Sequence, residues 1–506
     1  MDRALIFVTL VLALFYFIAR EGSRMNRERW HEIIIAVYVF SCSFARLFLP
    51  IYKAGGDPSG SFGDSLSVWA FHAMALVLIW LIARVKQWHI RRPKLLLALV
   101  FLVYAGCTFL NPYNISRLQT AMAVFYLLSF AVFMYLFTNT FTVKTVVNGI
   151  FMGLMITVAL HFILCILYPV LNMEMAVKLF DHEASTRSDE RIGAVGTMGH
   201  PNVLGTYVSY YFTFFAGCFV TNFKRRQSAI FAGLAFIVII LSASRSALLS
   251  VVMASIAIVV FYVYRRYKLL SIQSFLKGII PMAILTALLI SGPLNFLFSD
   301  LEDLDEMTTA RLLHYYCGYE IFEDHPLVGV GLNAHLAYLV ENGSAVMFEQ
   351  VFDMTDIWQP EEFMFTNPIH NIWIILVDEL GLIGFLPIFC FVLWYIATFK
   401  RRTRLSENRY YNIVNITGLG IICCLLVQGN SDWAPLTPQV LNLSLMFIAL
   451  SLNKHYSQEE HLEFESTEGR RRRLAAEEAA KEAAEKEAEV EAEEATEESP
   501  ETVQTV

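Results

Sequence analysis

The sequence predicts an all-α protein, a polytopic bundle of about 12–13 transmembrane helices with a large, partly helical extracytoplasmic loop. Three observations carry that expectation. Of 506 residues, 56% are apolar and only 17% charged, too little polar surface to keep a soluble domain dispersed. The apolar residues fall in runs, such as Leu95–Phe109, Thr145–Val170 and Val251–Tyr264, closed by Lys/Arg or by Pro, Asn and Gly. Such runs approach the ~20 residues that cross the hydrocarbon core as a helix, which satisfies its own backbone where water cannot.

In chain order, spans are expected near residues 4–20, 32–52, 66–85, 95–111, 118–138, 145–170, 203–222, 228–243, 246–264, 277–298, 380–399, 410–428 and 436–453. The first run, Ala4–Ala19, follows Arg3 as a signal sequence would. It lacks a small-x-small cleavage site and is followed by Arg20–Arg29, so it reads as a helix. Orientation follows from the basic residues of the connections. One alternating set, including Arg20–Arg29, Arg84–Lys94, Lys224–Arg226 and Lys400–Arg409, holds 22 Lys/Arg; the other holds 7. The richer set is expected in the cytoplasm, with the N-terminus outside and the C-terminus inside. Residues 171–202 and 299–370 then form long outer loops, and long loops on a rigid scaffold commonly carry function.

The expected domains are 1–454, the membrane domain, and 455–506, an acidic Ala/Glu-rich cytoplasmic tail. The tail holds 17 acidic and 6 basic residues and no apolar heptad stripe, so it reads as a solvated helix or a disordered segment. Arg470–Arg473, just past the membrane, could meet anionic headgroups, although a solubilising tail is the simpler reading. Six of the eight Cys lie within apolar runs or at their ends, Cys317 lies in the large outer loop, and no CxxC pair occurs. That excludes a disulfide framework or a zinc ribbon.

Several residues could carry chemistry. The 299–370 loop holds fourteen Asp/Glu and one Lys/Arg, Arg311. That guanidinium either joins salt bridges or grips a phosphate, for which its planar fork suits it. Arg245 sits in Leu241–Ser246, LSASRS, between two apolar runs at the outer boundary. It is either a snorkelling interfacial cation or a functional charge. His370 follows Pro368 where the large loop re-enters the membrane, a place for a general base or for a structural imidazole. His200, in Gly199–His200–Pro201–Asn202, has the same two readings. His72 and His161 lie within helices and are assigned nothing. No Walker A, HExxH, GxSxG or paired-Asp metal motif occurs, and no cofactor or metal is expected. Energy must therefore arrive in the substrate or as an ion gradient.

Four stretches occur in order: MGHPNVLG at 198–205, SASRSALL at 242–249, ARLLHYYCGYEIFEDHPLVGVGLN at 310–333 and HNIWIILVDELGLIGF at 370–385. Together they resemble the O-antigen ligase/polymerase superfamily of bacterial surface-polysaccharide assembly, over roughly residues 195–400. The resemblance implies a glycosyltransferase of the bacterial cytoplasmic membrane with an extracytoplasmic active site and no need for nucleotide or metal. Its donor would be a glycan on undecaprenyl pyrophosphate, and its acceptor a hydroxyl of a lipid or glycan. It also implies the catalytic set Arg245, Arg311 and His370. His200, Asn202, His325 and Asn371 become candidate substrate-binding residues. The chain departs from the family in having Tyr315, Tyr316 and Tyr319 where a Trp is common. In the mechanism this implies, two guanidiniums stabilise the departing pyrophosphate, His370 takes the acceptor proton, and the anomeric centre inverts. The rival expectation is a flippase or other transporter, which would show charges near the bilayer midplane and broken helices. Ligase and polymerase share one site chemistry, so the sequence leaves them unseparated.

Overall fold

A computed structural model describes residues 16, 27–45, 48–53, 65–83, 104, 108–167, 193–267, 304–342, 368–404 and 408–453. Chain contacts divide the protein into Met1–Ser457 and Gln458–Val506, and all the described residues belong to the first unit. The span expected at 277–298, nearly all of 4–20 and 95–111, loop residues 171–192 and 343–367, and the tail lie outside the described residues.

The protein is an all-α membrane bundle. In order come α1 (Arg27–Ser41), β1 (Phe48–Lys53), β2 (Ser65–Trp69), α2 (Ala70–Ala83), α3 (Arg117–Thr140), α4 (Val143–Leu167), α5 (Pro201–Val220), α6 (Arg225–Leu241) and α7 (Arg245–Tyr267). Then follow α8 (Leu304–Asp324), α9 (His335–Asn342), α10 (Ile372–Arg404), α11 (Arg409–Gln428), a short 3₁₀ turn (Ala434–Leu436) and α12 (Pro438–Leu452). Among the described residues, five helices (α3, α4, α5, α10 and α11) are long and apolar enough to cross a membrane. Their outer faces agree. Phe125, Leu128 and Val132 on α3 are exposed at helical spacing, as are Ile156 and Ile163 on α4 and Leu386, Phe389 and Leu393 on α10. Stripes of that kind suit lipid rather than water.

α5 lies at the centre. Tyr207, Tyr210, Tyr211, Phe214 and Phe215 are all fully buried, as expected of a helix that is apolar all round. It packs against α6, α7 and α11. α1 and α4 approach closely through Gly149 and Gly153, where an added Cβ would stand 2.7 Å from Ile35 Cβ and 2.6 Å from the Ala36 carbonyl. That four-residue spacing of glycines lets two backbones meet in lipid. Buried polar groups pin the packing: Gln428 Nε2 donates to Ser250 Oγ (2.7 Å) and Ser209 Oγ (3.2 Å), tying α11 to α7 and α5.

Two expected spans take another form. The 32–52 run is helical only to Ser41, after which β1 pairs antiparallel with β2, from the start of the 66–85 run. Ser41 Oγ and Ser43 Oγ each donate at 2.6 Å to a carbonyl three residues back, side-chain competition of the kind that closes helices.

α10 is broken at Gly381 (φ 62, ψ −177). There the 326–331 strand of backbone completes it. Val330 N donates to Asp378 O (2.8 Å) and Gly331 N to Glu379 O (3.0 Å), while Leu382 N and Ile383 N donate to Pro326 O and Leu327 O at 2.9 and 3.1 Å. Irregular backbone inside a membrane protein persists where protein satisfies it in this way.

Candidate active site at the converging helix ends

Three helices, α5, α10 and α12, begin around one turn, residues 429–437, and α7 begins against the first turns of α5. α5 opens on Gly199–His200–Pro201–Asn202: Gly199 takes positive φ (79°), His200 Nδ1 caps the helix by accepting from Asn202 N (3.2 Å), and Pro201 holds the first helical position. Each choice fits its place, since Pro is preorganised for a first turn that lacks partners for its N–H groups. Asn202 Nδ2 then donates to Asp432 Oδ2 at 2.5 Å. Asp432 in turn accepts from Ala434 N (2.9 Å), which fixes the turn ahead of α12.

α7 begins at Arg245 after the tight Ser242–Ala243–Ser244 turn, with Ala243 at φ 53° and Ser244 Oγ accepting from Ala247 N (3.4 Å). The first turns of α5 and α7 touch. A Cβ on Gly205 would stand 2.8 Å from both Ser244 Cβ and Ala247 Cβ. Arg245 is half-buried at this end of the bundle.

α10 begins at Ile372, whose N–H donates to Gly429 O (2.8 Å). Asn371 is its N-cap. Asn371 Oδ1 accepts from Trp373 N (2.9 Å) and Ile374 N (3.2 Å), and its Nδ2 donates to Asn430 O (3.5 Å). Just before it, His370 stacks on buried His314 of α8, with ring centroids 4.9 Å apart and the planes 16° apart. Their Nδ1 atoms are 3.1 Å apart. The next residue of α8, Tyr315, donates its hydroxyl to Asn430 O (2.9 Å). α8 is therefore fastened to the same turn as α5 and α10. Arg311 lies in α8 three residues before His314, a spacing that puts both positions on one helix face; its side chain lies outside the described structure.

His325 stands apart. It follows α8, about 16 Å along the helix axis from His314 at ~1.5 Å per residue. Its ring stacks on Tyr113 (4.0 Å), and its Nε2 lies 2.9 Å from the Tyr338 hydroxyl. Burial lowers its pKa below the ordinary imidazole value, opposed by neighbouring Asp324. This imidazole belongs to the node that closes the α10 break, where Asn111 Nδ2 donates to Gly329 O (2.6 Å) and Thr120 Oγ1 to Leu332 O (2.6 Å).

Sequence reasoning passed over several groups here. His314 sits inside the ARLLHYY stretch, but nothing at that position signalled an imidazole partner 56 residues away. Asp432 and Asn430 follow the end of α11 and look in sequence like ordinary turn residues. Asp378 and Glu379 lie within an apolar run and are buried. Glu379 Oε1 meets buried His335 Nδ1 at 2.7 Å, while neither carboxylate oxygen of Asp378 has a hydrogen-bond partner among the described residues. Burial, with Asp378 nearby, pushes the Cys317 thiol up to about 12, which keeps it protonated and poorly nucleophilic. Among the described residues, no group of three or more His, Cys, Asp or Glu could hold a metal ion.

The arrangement suits an anion. The N-termini of α5, α10 and α12 at the turn contribute partial positive charge, Arg245 opens α7 beside α5, and the His314–His370 pair can hold and move a proton. A separate apolar cavity of about 230 Å³ lies between α1, α2, α3 and α12, lined by Tyr38, Trp69, His72, Tyr126, Phe130 and Pro438 among others.

Residues 230–389, about a third of the chain, match the family model described as O-antigen ligase. Among curated proteins, no sequence matches this chain.

Proposed function

Because residues 230–389 carry the O-antigen ligase domain of the O-antigen ligase/polymerase superfamily, we propose that this glycosyl-transferring membrane enzyme moves a glycan from undecaprenyl pyrophosphate to an acceptor hydroxyl. The reaction takes place on the extracytoplasmic face of the bacterial cytoplasmic membrane, in cell-surface polysaccharide assembly. The observation that supports the reading is that α5, α8 and α10 are all tied to the 429–437 turn, which sets His370 and the helix bearing Arg311 beside the first turn of α5, against which α7 opens with Arg245.

In this reading the acceptor oxygen attacks the anomeric carbon as His370 takes its proton. The bond to the pyrophosphate breaks with its electron pair, and the configuration inverts. Arg245 and Arg311 stabilise the charge that develops on the leaving pyrophosphate. Asn202 and His200 hold the mouth of α5. Asn371 caps α10 next to His370, whereas His325 serves the α10 closure away from these residues. The chain supplies all of these groups itself, and the proposed step calls for no metal or nucleotide.

The transporter reading draws on one observation, the broken α10 with Asp378 and Glu379 buried beside the break. Against it, the backbone groups freed at the break are met by 326–331. Purified protein in lipid vesicles, given an undecaprenyl-pyrophosphate glycan and candidate acceptors, should form a new glycosidic product and release undecaprenyl pyrophosphate. Movement of the donor across the bilayer with no product would favour the transporter.

A further inference from the structure

The geometry points to His314 as a positioning residue that fixes which nitrogen of His370 acts as the base. The argument begins with hydrogen-bond arithmetic. Two imidazole nitrogens 3.1 Å apart need one N–H and one lone pair between them. The backbone settles which is which. The His370 main-chain N–H also points at His314 Nδ1, at 3.4 Å. A backbone N–H can only donate, so His314 Nδ1 carries the lone pair. His370 Nδ1 must then carry the hydrogen. In neutral His370 that leaves the basic lone pair on Nε2, the nitrogen on the far side of the ring from His314.

An isolated imidazole has no such fixed assignment, and a base in the wrong tautomer presents a hydrogen where it should accept one. In the triad template, losing the group that holds the tautomer costs about 10⁴ in turnover. His314 supplies the acceptor with a neutral ring instead of a carboxylate. That difference matters beside a pyrophosphate. A second carboxylate near Asp432 would add to the charge opposing the leaving group, whereas a neutral acceptor holds the N–H without adding to it. When Nε2 takes the acceptor proton, His370 becomes an imidazolium, and its Nδ1–H bond to His314 strengthens as a charge-assisted one. Burial of His314 and the His370 backbone N–H aimed at its Nδ1 hold the pair in register. The other titratable groups on the elements packed here are Arg311, Tyr315 and Cys317 on α8, Asp378 and Glu379 further along α10, and Asp432 in the turn.

The catalytic part of this inference rests on the function proposed above; the tautomer assignment does not. Nitrogen-15 NMR of histidine-labelled full-length protein in lipid nanodiscs reads the tautomer directly, the His370 signals being assigned by their loss in His370→Asn. At neutral to mildly alkaline pH, His370 should be protonated on Nδ1 and bare on Nε2. The reverse would overturn the assignment whether or not transfer is detected. For kinetics, His314→Phe keeps a ring to stack but removes the acceptor, and kcat should fall on the order of 100-fold with KM within about threefold. His314→Asn places an acceptor oxygen near the lost Nδ1 and should restore most of kcat. Equal losses in both variants, or none in His314→Phe, would reduce His314 to a packing residue and sink the inference. If His314→Phe does not fold, the wild-type spectrum and the Asn variant still decide. A correct tautomer in a protein that transfers no glycan would refute the proposed function instead.

Discussion

Arg245 opens α7 against the first turn of α5, and Arg311 lies on α8, the helix that carries His314. Replacing either with Ala should abolish transfer, by on the order of 3–4 kcal/mol in the barrier, the scale of removing one preplaced donor. Lys should rescue poorly, because it brings charge without the bidentate fork. Initial rates in the reconstituted assay check this, and near-normal turnover by Arg311→Lys would rule out bidentate pyrophosphate contact. His370→Gln should insert normally yet be as inactive as His370→Ala, since Gln keeps a hydrogen bond but cannot accept a proton. Because the base must be neutral, wild-type kcat should decline as the pH is lowered and His370 takes up a proton. An active Gln variant would leave His370 only a positioning role. Arg245, Arg311 and His370 became candidates through the order of motifs that resembles the family. His314 did not, because pairing between residues 56 apart leaves no local periodic trace.

Glycines that look alike in sequence differ sharply at the scale of elements. Gly381 sits at φ 62°, ψ −177°, with the Leu327 carbonyl and Val328 nitrogen where a side chain would go; that backbone region is essentially reserved for glycine. Gly233, within α6, has nothing within 4 Å of an added Cβ. Gly381→Ala should therefore lose at least ~1–3 kcal/mol and show a lower Tm in detergent. Gly233→Ala should be neutral or gain up to ~1 kcal/mol, the helix-propensity difference. Equal Tm values would mean that the α10 break contributes nothing to stability. Hydropathy located α3 to α7, α11 and α12 within a few residues, because an uninterrupted apolar run has one good solution in lipid. It failed where local chemistry overrode the run. The serines at 41 and 43 close α1 early, and α10 starts at Ile372, not near 380. Asp378 and Glu379 made that stretch look too polar to enter the bundle. The fold buries them instead, Glu379 against His335 and Asp378 against α8, where its Oδ2 lies 3.0 Å from a Cβ built on Gly318.

For the whole molecule the open quantity is which way the bundle faces, since the proposed chemistry needs its donor on the extracytoplasmic side. The acidic tail bears on this only by position. Residues 460–506 carry none of the candidate site residues, so deleting them should leave transfer within a few fold in the reconstituted assay; complete loss at normal abundance would make the tail a required partner. Orientation itself rests on the 22-to-7 asymmetry of basic residues between the two sets of connections. On that asymmetry residues 299–370 are expected outside and the tail in the cytoplasm. Ser344 falls in that loop, so Ser344→Cys should react with an impermeant maleimide in intact cells once the outer barrier is made passable. Cys390 is exposed on α10, so the unsubstituted protein must be labelled in parallel, and only signal above that background counts. A cysteine in the tail should stay unlabelled until lysis. The opposite pattern, Ser344→Cys protected and the tail labelled, would turn the bundle over. It would put Arg245 and His370 on the cytoplasmic side, where a glycan already carried across the membrane could not reach them.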